Sequence, residues 1–137
     1  LDRTVNFGVT SGATNRFRRF GFDITTGTQG GSMYRQFSPG ASVRVAGRID
    51  LGYQAALIEQ NGWQHQHILT MAKELSRTQA IGGRLVRQRD PGKKTETNFY
   101  LSYRNAGERG TETYLLLGDP NAKTFRSQVA MKFIWAR

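Results

Sequence analysis

Cysteine is absent from all 137 residues, so neither a disulfide framework nor a thiolate metal site can form. No stretch approaches about eighteen consecutive apolar residues, which excludes a transmembrane helix. Long runs of helix formers are also missing, whereas glycine occurs 16 times. A membrane protein with this sequence would have to be a barrel, because only helices and closed barrels satisfy their backbone hydrogen bonds inside a bilayer. Methionine does not open the chain; Leu1 does, and no signal-like apolar segment follows it. A removed leader or a longer parent chain is therefore expected. Acidic residues are scarce, 10 Asp+Glu against 20 Lys+Arg, giving a formal charge of +10. Such a balance suits nucleic acid or anionic lipid. The positive residues are nevertheless spread out, with tight groups only at Arg16, Arg18 and Arg19 and at Lys93 and Lys94. No nucleic-acid motif accompanies them, so nucleic acid is not the expected partner.

What is present is alternation. In the last segment Val129, Met131, Phe133 and Trp135 share one face, while Gln128, Ala130 and Lys132 share the other, with Ile134 breaking the pattern. Side chains alternate across a strand, so such a segment meets an apolar medium on one side and a polar one on the other. Ile49, Leu51, Tyr53, Ala55 and Leu57 repeat this opposite Asp50, Gly52, Gln54 and Ala56. Phe20, Phe22 and Ile24, then Val5, Phe7 and Val9, then Phe99, Leu101 and Tyr103 do the same. The segments 79–89 and 112–118 alternate less clearly, and a short helix is expected over 67–75.

Turn residues separate these segments. Short connections are expected at 12–15, 46–47, 76–78 and 105–110, and longer polar ones at 26–31, 60–64, 90–96 and 119–123. Asp90-Pro91-Gly92 and Gly118-Asp119-Pro120-Asn121 are turn sequences with a mechanism, since proline presets φ and Gly or Asn accepts positive φ. About nine strands in sequential hairpins result, with no linker or domain boundary. Short turns at one end and longer loops at the other are the organisation of an outer-membrane barrel.

Alternation alone leaves a soluble sandwich open, because that too alternates with its apolar face inward. Three features favour the membrane. The polar faces carry small residues with scattered charges that suit a wet lumen. Aromatics stand near strand ends at Tyr34, Phe37, Trp63, Tyr100, Tyr103 and Trp135, as interfacial girdles would. The strands are also joined simply, as an up-and-down barrel needs.

The second half carries a resemblance. Leu75-Ser76-Arg77 closes one strand, and residues 80–88 form the next. Then come Asn98-Phe99-Tyr100-Leu101-Ser102-Tyr103-Arg104, a Gly-containing turn and Thr113-Tyr114-Leu115-Leu116-Leu117-Gly118-Asp119. A final strand runs from Phe125 through Val129, Met131 and Phe133 to Trp135. This order resembles the C-terminal barrel of a family of large bacterial outer-membrane proteins. Their N-terminal part looks like a family-nine carbohydrate-binding β-sandwich, and their function is largely unknown. Ser38-Pro39-Gly40 and the strand 48–53 extend the likeness loosely into the first half. The turn before Thr113 lacks a proline that the pattern carries, and the chain ends in Ala-Arg where outer-membrane barrels finish on an aromatic. The resemblance implies an N-terminal region and earlier strands beyond this chain.

Catalytic chemistry finds no constellation. His65 and His67 fall on one strand face at metal-ligand spacing, beside Trp63 in an expected loop, but no third ligand is identifiable. Ser102 with His67 is the sole pair to weigh for a hydrolase, and nothing orients them. Glu59, Glu74, Glu96, Glu108 and Glu112 are expected at strand ends or in loops. Gly82-Gly83 and Gly30-Gly31 precede no helix and are not phosphate loops.

The expected fold is all-β: an antiparallel up-and-down transmembrane β-barrel, or the C-terminal part of one, with 1–137 as a single domain of a longer chain. Lumen-facing candidates are Arg44, Arg48, Asp50, Arg84, Arg104 and Lys132. Such residues either set anion preference or pair with Asp23, Asp50 and Glu112 and fill the lumen. Lipid-facing candidates are Ile49, Leu51, Tyr53, Val129, Met131, Phe133 and Trp135. The expected role is a porin-like passive pore, a secretion-linked channel or a structural anchor in the bacterial outer membrane. No cofactor, metal or enzymatic activity is expected. The expected partners are the lipid bilayer and other membrane or secretion proteins. The alternative is a soluble basic β-sandwich or barrel that binds nucleic acid or an acidic polymer. The two differ in salt response, because phosphate contacts release counterions. DNA binding measured by filter retention should be weak, indifferent to sequence and gone near physiological salt; tight, discriminating binding there would favour the alternative.

Overall fold

The computed structural model describes residues 2–12, 14, 17–45, 48–107 and 110–135. The turn expected at 46–47, with Arg16, Glu108 and residues 136 and 137, lies outside the described residues. Nine strands follow one another: β1 (Arg3–Ser11), β2 (Arg18–Gln29), β3 (Ser32–Val45), β4 (Ile49–Glu59), β5 (Trp63–Glu74), β6 (Gln79–Arg89), β7 (Glu96–Ala106), β8 (Thr111–Leu117) and β9 (Val129–Trp135). Each pairs antiparallel with the next, in one sheet of order β1 to β9. No strand pairing joins β1 to β9 among the described residues, so the sheet is open.

Local chemistry explains the hairpins. Gly30 and Gly31 join β2 to β3 with φ of 59° and 78°. Positive φ at both central residues is the two-residue turn whose twist matches paired strands. Asp90-Pro91-Gly92-Lys93 closes with Lys93 N–H donating to the Asp90 carbonyl at 3.1 Å, and Gly92 has φ 71°. Proline at the second position and a positive-φ glycine at the third make a type II turn. At 75–78 the Ser76 hydroxyl accepts from the backbone N–H groups of Thr78 and Gln79. Pro39 lies inside β3, where a missing N–H interrupts a ladder. Pairing to β4 accordingly lapses at Ser38 and Pro39 and resumes at Gly40 opposite Gln54.

Several expectations are corrected here. Residues 67–75 are not helical: Trp63–Glu74 is β5, and no α-helix occurs among the described residues. Helix formers such as Leu69, Met71, Ala72 and Lys73 are overridden by backbone pairing to β4 and β6 on both sides. Trp63 therefore opens a strand and does not sit in a loop. Residues 26–29 belong to β2, so the loop expected at 26–31 shrinks to two glycines. The longest connection, 118–128, and the six-residue one at 90–95 lie at the same end of the sheet, while the connection 12–17 at the other end is also six residues long. Arg48 is a turn residue with φ 60° and not a strand residue.

The register assigns every side chain to a face. One face carries Phe20, Phe22, Phe37, Val43, Leu51, Leu69, Leu85, Leu101, Leu115 and Met131 with their neighbours. The other carries Gly21, Gly40, Gly52, Gly82, Ser38, Ser42 and Ser102 among charged and amide side chains. All exposed large hydrophobics lie on the first face except Phe17, Leu75, Phe125 and Ile134. Tyr34 and Tyr100 lie on the polar face, so only Phe37, Trp63, Tyr103 and Trp135 of the expected aromatic girdle share the apolar one.

Burial runs opposite to that of a soluble sheet. On β3, Ser32, Tyr34, Gln36 and Ser38 are half-buried, while Met33, Arg35 and Phe37 between them are exposed. On β8, Tyr114 and Leu116 are half-buried beside exposed Leu115 and Leu117. Among the described residues only Ala55, Asn98 and Gly118 are buried. The small side chains of the polar face allow this crowding: a Cβ at Gly82 would stand 2.9 Å from the Ser102 hydroxyl.

The β2–β3 turn offers a test. Gly31→Val places a β-branched residue at positive φ and should cost about 1–2 kcal/mol in urea unfolding. Gly30→Asn should cost far less, since Asn tolerates that conformation.

Candidate functional site

The polar face collects most of the expected lumen residues. Arg44 and Asp50 stand directly opposite each other on β3 and β4. The Arg44 Nε donates to Asp50 Oδ1 and Nη2 to Oδ2, both at 2.6 Å. This fork-to-carboxylate geometry fixes both side chains in one orientation. On β7 and β8 Arg104 donates to Glu112, which also accepts from the Tyr114 hydroxyl at 2.5 Å. The Arg104 guanidinium lies 6.0 Å from the centre of the Tyr114 ring. Arg84 sits opposite Tyr100, and Lys132 opposite Tyr114. Neither forms an ion pair among the described residues, nor does Asp23, one of the three acids weighed as their partners. Arg48, in its turn, approaches Glu74 at 3.9 Å.

Towards the other end of the strands runs an amide ladder. Gln66 donates to Gln88 at 3.2 Å, and Gln88 donates to Glu96 at 2.9 Å, linking β5, β6 and β7. Gln36 donates to the Ser38 hydroxyl at 2.7 Å and accepts from Tyr34. A hollow of about 520 Å³ lies over β1–β5, with Thr10, Arg19, Asp23, Ser38, Gln54 and Thr70 on its wall. Its lining is uncharged apart from Arg19 and Asp23.

Asn98, on the same face of β7, is 5 % exposed. Its amide donates to the backbone carbonyls of Asp119 and Ala122 at 2.8 and 2.7 Å. β8 pairs with β7 only from Leu101 onward, which leaves the start of β7 without a strand on that side. The 118–128 connection fills the vacancy: Phe125 N–H donates to the Thr97 carbonyl at 3.0 Å, and the Phe125 ring stacks on Phe99 at 4.1 Å. Sequence reading missed Asn98 and the amide ladder, whose only signal was polar residues at even spacing.

The apolar face holds every lipid-facing candidate: Ile49, Leu51, Tyr53, Val129, Met131, Phe133 and Trp135. It also holds His65 and His67, whose rings are 5.9 Å apart. The Tyr53 hydroxyl is 2.9 Å from His67 Nδ1. Arg89 and Arg87 stand directly opposite the two histidines. Two guanidinium groups disfavour a metal cation there, and no cluster of three metal-binding side chains occurs among the described residues. Ser102 lies on the polar face and His67 on the apolar one, so the sheet separates them and they cannot act together. No family model, curated protein or solved structure matches this chain, so site and function rest on its own residues.

Asn98→Ala removes the donor to two carbonyls covered by the loop. It should cost about 1–3 kcal/mol and raise amide hydrogen exchange within 118–128 before the rest of the sheet.

Proposed function

We propose that this sheet is the wall of an outer-membrane β-barrel, or of part of one, serving as a passive pore, a secretion-linked channel or a structural anchor and not as an enzyme. The observation that carries the reading is the course of the apolar band across the sheet. On β1 the apolar run centres on Phe7; on β9 it centres between Met131 and Phe133. Phe7 is level, strand by strand, with Ile24, Phe37, Leu57, His65 and Arg89. Met131 is level with Leu115, Tyr103, Ile81, Lys73, Ile49 and Val45. The two centres are offset by about nine residues, or ~30 Å along the strands at ~3.3 Å per residue. The steps from β1 to β9 total ~38 Å across, at ~4.8 Å each. The band therefore crosses the hydrogen-bonded rows at about 38° by these spacings. Strands of outer-membrane barrels tilt by ~35–45°, and an apolar belt lying flat in a membrane must cross their rows at that angle.

Two further quantities agree. On β4 the run from Ile49 to Leu57 covers about 26 Å along the strand, or about 20 Å along a normal tilted by that angle, near the ~25 Å of a lipid-facing band. Burying a Leu, Phe or Met side chain is worth about 1.5–3 kcal/mol. Over the whole face this exceeds the 5–15 kcal/mol that stabilises an ordinary domain. A single-layer sheet holding this face in water would forgo it all; lipid supplies the missing apolar medium. The polar face then lines the interior, where Arg84 and Lys132 form no ion pair among the described residues and Arg44 and Arg104 are held by carboxylates. β1 and β9 run in the same direction, so closing an all-antiparallel barrel takes an odd number of further strands.

The native chain has no cysteine, so single introduced thiols report cleanly. A fluorophore on Met131→Cys in reconstituted membranes should be quenched by nitroxide-bearing lipid, and one on Ala130→Cys by an aqueous quencher. Lipid-insensitive fluorescence at position 131, or a chain that stays out of membranes, would overturn the barrel in favour of a soluble β-protein.

A further inference from the structure

The same drift of the apolar band brings two arginines and two histidines to its edge on the lipid-side face. His65, His67, Arg87 and Arg89 occupy two adjacent rows of β5 and β6, with His65 opposite Arg89 and His67 opposite Arg87. At Cα level these positions span about 5 by 7 Å. The next row is wholly apolar: Tyr53, Leu69, Leu85 and Phe99. Arg87 and Arg89 are exposed and form no ion pair among the described residues. Nearby acids are already engaged. Glu59 faces Arg35 at 3.4 Å, and the Asp90 carboxylate accepts from Lys93 at 3.0 Å and from Gln64 at 3.0 Å. The hydrogen bond from Lys93 holds the Asp90 carboxyl below its ordinary range, so it stays ionised and paired. Lys94, exposed in the same connection, adds a further positive charge. Arg87 and Arg89, about 7 Å apart on one face of β6, repel each other unless something neutralises them.

We infer that this patch is a binding site for the phosphate headgroup of a membrane lipid, an inference that rests on the barrel reading. The chemistry commits to a lipid source. Arg87 and Arg89 sit at the edge of an apolar band, where headgroups meet it, so one molecule can place its acyl chains on Leu69, Leu85 and Phe99 and its phosphate on the two guanidinium groups. The planar guanidinium fork matches phosphate oxygens two at a time, and the Tyr53 hydroxyl at His67 Nδ1 orients one imidazole beside it. Trp63, exposed at the start of β5, stands at the same level as an interfacial ring would.

The test reconstitutes the protein in phosphatidylcholine vesicles, with and without a minor fraction of phosphatidic acid. Selectivity is read from the motionally restricted fraction of spin-labelled phosphatidic acid against spin-labelled phosphatidylcholine. Several-fold preference for phosphatidic acid is expected, falling towards parity in Arg87→Gln/Arg89→Gln, which should enter phosphatidylcholine vesicles as the wild type does. Millimolar inorganic phosphate should leave the preference intact; its loss would point to a free-phosphate site and overturn the lipid assignment. Insertion without selectivity, or selectivity that survives the double substitution, overturns this inference alone. A protein that enters neither vesicle overturns the barrel reading, and this inference with it.

Discussion

Everything in this molecule hangs on the antiparallel backbone ladder. With almost no side chain fully buried among the described residues, no packed interior holds the strands together. Each strand from β2 to β8 is instead held by hydrogen bonds to two neighbours, and the register so defined determines which side chains meet. A shift by one residue would exchange the faces of the whole strand. The turns that set the register, Gly30-Gly31 above all, thus determine the placement of the apolar band and of every cross-strand contact.

The ladder also explains the shape of the polar face. Glycine, serine and alanine recur along its middle, so its side chains crowd without clashing although they are the more shielded set. Larger polar groups sit towards the strand ends and are tied across strands, as Arg44 is to Asp50 and Arg104 to Glu112. Where the ladder runs short, at the start of β7, a single buried amide takes over. Asn98 binds two loop carbonyls and Phe125 covers Phe99, so the connection at 118–128 substitutes for missing strand.

A consequence of the tilt is that a strand's apolar face and its apolar band are different things. His65 and Arg89 share the face, and even the row, of Phe7 and Leu57. In the barrel reading they leave the hydrocarbon because the membrane plane cuts obliquely through that row. The Arg87–Arg89 patch and Trp63 are then parts of one boundary, and the polar face keeps its charges for the interior.

Strand identity and facing were legible in the sequence because both are local. Alternation at period two needs no knowledge of neighbours, and Val129, Met131, Phe133 and Trp135 lie on one face as their spacing says. Asp-Pro-Gly was likewise legible as a turn from the φ preferences of single residues, whereas Gly30-Gly31 was expected inside a longer loop. Residues 67–74 misled because Leu, Met, Ala, Lys and Glu favour a helix in isolation, and only pairing to β4 and β6 makes them a strand. Register belongs to the tertiary structure, since it depends on where each turn begins and ends to the residue. It alone set His65 and His67 against Arg89 and Arg87, put Ser102 and His67 on opposite faces, buried Asn98 and carried the apolar band obliquely across nine strands. A one-dimensional pattern shows which side of its own strand a residue occupies, but hydrogen bonding between strands decides what stands beside it.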